Sequence, residues 1–188
     1  MRLFIAAEVP EDVKHEAAAL RDRMGHMPGI KWVEKGNMHL TLRFLGEVEE
    51  RAAAGVRQAL RGVSFQPFEA RAAGFGAFPS ESRPRVLWIG LEPADRISSL
   101  HGSIDAALLP LGFPPDDRFS PHMTIGRVRD SGDAGDLAGK IRELKQSASQ
   151  LGKPFQVAGF VLKSSTLTPR GPVYADLESF GAVERKSA

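Results

Sequence analysis

The sequence predicts an α+β protein of two similar lobes, each a small antiparallel sheet with helices on its outer face and a cleft between the two sheets. Three observations predict it. Strand-like runs of alternating apolar and polar residues are interleaved with amphipathic helical stretches in both halves of the chain. Each half carries one copy of a His-x-Thr-x pattern, His39-Leu40-Thr41-Leu42 and His122-Met123-Thr124-Ile125. The strand period puts each imidazole beside its own hydroxyl on one face, about 7 Å apart, and the apolar pair on the other. One face then suits water and chemistry, and the other a packed core.

The elements follow in order. Arg2 to Glu8 reads as a strand. Pro10 suits a first helical turn, and a helix runs from about Glu11 to Met24 with Val13, Ala17, Leu20 and Met24 on one stripe. After Pro28-Gly29 come a short strand at Lys31-Trp32-Val33, a turn at Lys35-Gly36-Asn37 and the first motif strand, His39 to Leu45. Glu47 to Leu60 reads as a helix. Phe68 to Gly74 and Val86 to Leu91 are strands flanking a Gly/Pro/Ser/Arg-rich loop, Gly74 to Pro84, and a helix spans about Ile97 to Leu109 before Pro114-Pro115. The second motif strand precedes a flexible stretch at Asp130 to Gly135, a helix from about Leu137 to Leu151, and two closing strands, Phe155 to Ser164 and Val173 to Leu177. Each half of the chain is thus expected to build one lobe, and residues 1–188 form one bilobal domain with both motifs lining one groove, a common place for a ligand.

Composition narrows the class. The chain has 188 residues, 42% hydrophobic and 26% charged, which is ordinary for a globular domain. It lacks an apolar stretch of the roughly 20 residues a membrane helix needs, and Glu8 interrupts the N-terminal apolar run before a signal-peptide core forms. A cytoplasmic protein is expected. The absence of cysteine removes disulfides, thiol nucleophiles and thiolate metal sites together. A net charge of +2 gives a mild positive bias, suited to a polyanion visited briefly.

The paired motif is not a coincidence of composition. With four threonines in 188 residues, any one histidine has roughly a 2% chance of a threonine two positions on, so two hits among five histidines need a cause. Two imidazoles with ordinary pKa values near 6.5 allow one to accept a proton while the other donates one, with a bell-shaped rate profile around neutral pH. That is what in-line displacement at phosphorus requires: a base for the attacking water or hydroxyl and an acid for the departing alkoxide. Hydroxyls of Thr41 and Thr124 would donate to the non-bridging oxygens. Such a cradle needs no metal or cofactor. A zinc site is disfavoured, because two histidines are too few and neither motif has a carboxylate at ligand spacing. Ser/His hydrolysis would rest only on Ser120 beside His122.

At these residues the chain resembles the 2H phosphoesterases, and within them the bacterial RNA 2′,3′-cyclic phosphodiesterases, also called the 2′-5′ RNA ligase family. The resemblance runs from Arg2-Leu3-Phe4-Ile5-Ala6 through Asn37 to Gly46, Gly74 to Pro79 and Ser120 to Arg127, and ends at Ser165-Thr166-Leu167 and Gly171-Pro172-Val173-Tyr174. It implies a bilobal fold and metal-independent opening of a 2′,3′-cyclic phosphate at an RNA end to leave a 2′-phosphate. It places catalysis on His39 and His122 and phosphate contacts on Thr41, Thr124 and Arg127. It leans toward His122 as base and His39 as acid, although the near symmetry of the motifs leaves the two roles open. RNA 3′ ends or nucleoside 2′,3′-cyclic phosphates are the expected partners of a monomer. Ligation of a cyclic end to a 5′-hydroxyl, action on small nucleotides, and an RNA-end binding module without turnover are the alternatives. An ATP-driven ligase is disfavoured, since no Gly-rich lysine loop is present.

Other residues carry weaker signals. Strict alternation points Arg127 away from the cleft, and a bulge at Gly126 would turn it back. Arg43 shares the parity of His39 and Thr41, with solvation at the groove edge as its expected fate. Phe4, Phe44, Phe75, Phe78 and Trp88 are expected in the core. Trp32 and Phe119 are weak candidates for stacking on a nucleobase. Arg83 and Arg85 make the Gly74 to Pro84 loop a candidate lip for an RNA backbone. His15 and His26 are expected at the surface, and His101 without a catalytic role.

Overall fold

The computed structural model describes residues 1–129, 134–148, 151–169 and 171–182. Among these, the alternating segments form strands β1 (Arg2–Ala7), β2 (Ile30–Trp32), β3 (Leu40–Glu47), β4 (Phe68–Phe78), β5 (Val86–Glu92), β6 (His122–Val128), β7 (Leu151–Val157), β8 (Gly159–Thr168) and β9 (Gly171–Gly181). The helical stretches form α1 (Glu11–Arg23), α2 (Glu50–Arg61), α3 (Ala94–Leu108) and α4 (Ala134–Ser147). Lys35–Asn37 is a 3₁₀ turn. The predicted flexible stretch falls mostly on 130–133, outside the described residues.

The strands join in one curled antiparallel sheet of order β7-β4-β5-β6-β3-β1-β8-β9, with β2 beside β6. The sheet is narrowest at its centre, where β3 and β6 meet through the single pair Leu40 and Met123. This seam divides the molecule into two α+β lobes, β3-β1-β8-β9 and β7-β4-β5-β6. Helices α2 and α3 back the first lobe, through β9 and β3, and α1 and α4 back the second, through β7 and β4. The lobes therefore do not coincide with the halves of the chain. Helix α1 crosses to the second lobe, and β8 and β9 return to pair with β1.

That crossing explains the main errors in reading the C-terminal segment. Phe155 to Ser164 is not one strand: β7 pairs with β4 in one lobe, β8 pairs with β1 in the other, and the chain changes lobe at Ala158. Pro154 lies inside β7, a position tolerated because β7 is an edge strand. Leu151 starts β7 and does not end α4. The loop expected from Gly74 is shorter, because β4 runs on to Phe78. Gly74 has φ +76° and drops out of the pairing with β5 as a bulge, which is what a glycine in a strand permits.

The apolar faces of both motifs do what the pattern asks. Leu40, Leu42, Met123 and Ile125 are all at most 2% exposed. So are Val13, Ala17 and Met24 on α1. Each of these side chains except that of Ala17 contributes roughly 1.5–3 kcal/mol on burial. The burial also fixes the polar residues of the motifs on the opposite face.

Candidate active site

The pair Leu40 and Met123 sets the register of the site. It brings the two motifs together at the seam, with His39 and Thr41 flanking Leu40 and His122 and Thr124 flanking Met123, off the face that Leu40 and Met123 bury in the core. His39 and Thr41 hang on the first lobe, and His122 and Thr124 on the second.

Both rings are held by the same local device. His122 Nδ1 donates to the Ser120 carbonyl at 2.7 Å, and the ring of His39 bonds to the backbone of Asn37, again two residues earlier. In His122 this leaves Nε2 free for proton transfer. Aromatic walls fix the ring planes. His39 stacks on Phe4 at 5.1 Å and meets the edge of Tyr174 at 5.4 Å, while His122 meets Phe78 at 5.0 Å and Trp88 at 6.5 Å. Phe78 and Trp88 are therefore only half-buried walls of the cleft and not core residues as expected. Phe4 and Phe75 are buried.

Burial shapes the electrostatics. It pushes the His39 imidazole down to about 4, and the Lys163 ammonium adds to the shift, against the opposing effects of Glu8 and the bond to Asn37. His122 is lowered as well, chiefly by burial, with Arg127 adding to it. Lys163 is itself buried and ion-paired with Glu8 at 2.5 Å and Asp176 at 2.6 Å. This triad beside His39 was not visible in the sequence, since its members come from β1's end, β8 and β9.

Two bulges decide which arginine faces the cleft. In β6, Thr124 pairs with Trp88 and Gly126 with Leu87, so Ile125 is skipped and Arg127 opposite Val86 returns to the cleft face. The Arg127 charge acts on both His122 and Tyr174, one from each lobe. In β3, Ala6 pairs with Thr41 and Ile5 with Arg43, so Leu42 is skipped and parity reverses. Arg43 is thereby turned behind the sheet, where it binds Asp105 at 2.9 Å and Asp116 at 3.5 Å, with a further bond to the Pro114 carbonyl. Its expected place at the groove edge is wrong for this reason. The same bulge brings Phe44 out of the core: it pairs with Phe4 and is 62% exposed.

The remaining candidates lie elsewhere. Trp32 packs over Gly126 and the core, and Phe119 stacks on His101 at 4.0 Å, so neither is a base-stacking residue at the cleft. His101 is buried behind β3. His15 and His26 are exposed. Among the described residues, no cluster of three or more His, Asp or Glu is placed to hold a metal ion. No described helix is long and apolar enough to cross a membrane.

The family described as LigT like phosphoesterase matches twice, at residues 7–88 and 89–174, once for each copy of the motif. The chain belongs to this family. An Archaeoglobus fulgidus protein named RNA 2′,3′-cyclic phosphodiesterase is 39% identical over 96% of this chain and 99% of its own length. A Thermotoga maritima protein of the same name is 39% identical over 93% and 91%. Among solved structures, a Thermus thermophilus protein superposes with TM-score 0.80 at 31% identity, covering 96% of this chain and 97% of that one. Escherichia coli LigT complexed with 3′-AMP shares the fold, with TM-score 0.78 at 21% identity over 97% and 98%.

Proposed function

We propose that this LigT-like phosphoesterase hydrolyses 2′,3′-cyclic phosphate ends of RNA to 2′-phosphates, with His39 and His122 as its acid-base pair and no metal. The observation that supports the reading is the Leu40–Met123 pair, which brings the two His-x-Thr-x motifs together at the seam between the lobes. The names borne by relatives at 39% identity supply the substrate class.

In the reaction, one neutral imidazole takes a proton from water, the water oxygen bonds to phosphorus, the bond from phosphorus to O3′ breaks, and the other imidazole, protonated, gives O3′ its proton. Thr41, Thr124 and Arg127 hold the non-bridging oxygens, with the guanidinium supplying the charge-assisted bond. Burial by the protein itself favours neutral rings. An arriving phosphate anion raises both pKa values and lets one ring hold the proton the acid must give. Both lobes of the site come from one chain, so a monomer suffices for the reaction.

The test is turnover of a nucleoside 2′,3′-cyclic phosphate in EDTA by the parent, His39→Ala and His122→Ala. Each general acid or base contributes about 10² to 10⁴-fold, so both variants should fall by that order. Undiminished turnover in both sinks the assignment.

A further inference from the structure

We propose that the pocket between α4 and the loop joining β4 to β5 binds an upstream phosphodiester of the RNA, so that the protein reads a strand end and not only its terminal nucleotide. This rests on the reading of the cleft as a cyclic-phosphate site.

The cavity measures about 600 Å³ and is lined by Ser80, Glu81, Ser82, Trp88, Arg142 and Lys145. Arg142 and Lys145 lie three residues apart on α4 and so share a face of the helix. They line the pocket together with Ser80 and Ser82 of the loop, whose hydroxyls stand 3.0 Å apart. Lys145 is bound to Glu81 at 2.7 Å, which cancels that carboxylate. Arg142 is exposed and has no hydrogen bond or ion pair with any described residue, so the pocket keeps a net positive charge and a fork of free donors beside two hydroxyls. That donor set suits a phosphate diester, which offers two charged acceptor oxygens.

Its position ties it to the cleft. Trp88 forms a wall of the pocket and also faces His122, 6.5 Å away between ring centroids. A strand whose cyclic end lies at His122 passes over the indole, which can stack a base, and reaches Arg142 with its next phosphate. This differs from a loop lip alone, because the unpaired cation comes from α4.

The experiment compares binding of a short oligoribonucleotide ending in a 2′-phosphate with that of a nucleoside 2′-monophosphate, at several salt concentrations, for the parent and Arg142→Glu. In the parent the oligonucleotide should bind about tenfold or more tightly. Arg142→Glu should remove that advantage, reduce the salt slope by about one, and leave nucleotide affinity and mononucleotide turnover unchanged. Equal affinities in the parent, or equal losses on both probes in Arg142→Glu, overturn the proposal. Failure of the parent to turn over any cyclic phosphate overturns the proposed function instead, while the binding comparison still decides the pocket.

Discussion

The Nδ1–H of His101 on α3 points at the carbonyl oxygen of Leu42, 2.8 Å away, and so holds the β3 bulge from behind. Leu42 is the residue skipped in the β1 ladder, and its displacement keeps Thr41 in the cleft while turning Arg43 onto Asp105. His101→Leu removes the donor and leaves a buried carbonyl without it, at a cost of about 1–3 kcal/mol. Urea denaturation should show that loss, together with a fall in kcat/KM as Thr41 loses its fixed position. Parent-like values of both would mean that the bulge holds without His101.

Stability should fall in acid because His39 is buried in its neutral form. Its pKa is lowered from 6.5 to about 4 on folding, so between these values the unfolded chain binds the extra proton. None of this stability is lost above about pH 6.5, and the loss grows as pH falls to about 4, where it reaches roughly 3 kcal/mol. His122 is shifted in the same direction and adds to the slope. His39→Phe keeps a ring against Phe4 and removes the titration. Thermal melts from pH 7 to pH 4 should therefore decline less steeply for this variant than for the parent.

The same shifts move the catalytic profile away from the neutral optimum that two ordinary imidazoles predict. Because kcat/KM reports the free protein, its bell should peak between about 4 and 6.5, with kcat displaced to higher pH by the bound anion. The Lys163 ammonium lowers His39 and the Glu8 carboxylate raises it. Lys163→Met should move the acid limb up in pH, and Glu8→Gln should move it down. Movement of both in one direction, read from the rate profile and from the NMR titration of His39, contradicts this wiring.

What the sequence disclosed was local. Strand period alone put His39 with Thr41 and His122 with Thr124, and a lone glycine in β6 pointed to the bulge that turns Arg127. The register between the motifs was hidden, because pairing of Leu40 with Met123 joins segments about eighty residues apart by shape and not by composition. The β3 bulge carries no glycine to announce it, so Arg43 and Phe44 read with inverted parity. The exchange of α1, β8 and β9 between lobes was hidden for a related reason. Equal grammar in the two halves is satisfied equally well by a chain that stays home and by one that crosses over. Lys163, Glu8 and Asp176 are adjacent only because β1, β8 and β9 are.

Gly126 joins these levels in one position. A Cβ there would lie 2.9 Å from Trp32 Cε3 and 3.2 Å from Ile30 Cγ2, so β2 can close on β6 only over a glycine. The next residue is Arg127, whose direction the bulge sets. Gly126→Ala should push Trp32 outward and strain the bulge, at about 1–3 kcal/mol in stability. Its kcat/KM should fall toward that of Arg127→Ala, since the guanidinium loses the direction the bulge gives it. Adding Trp32→Leu makes room for the methyl group and should recover stability and part of the activity. If Gly126→Ala melts like the parent and turns over like it, close packing by Trp32 is not what aims Arg127.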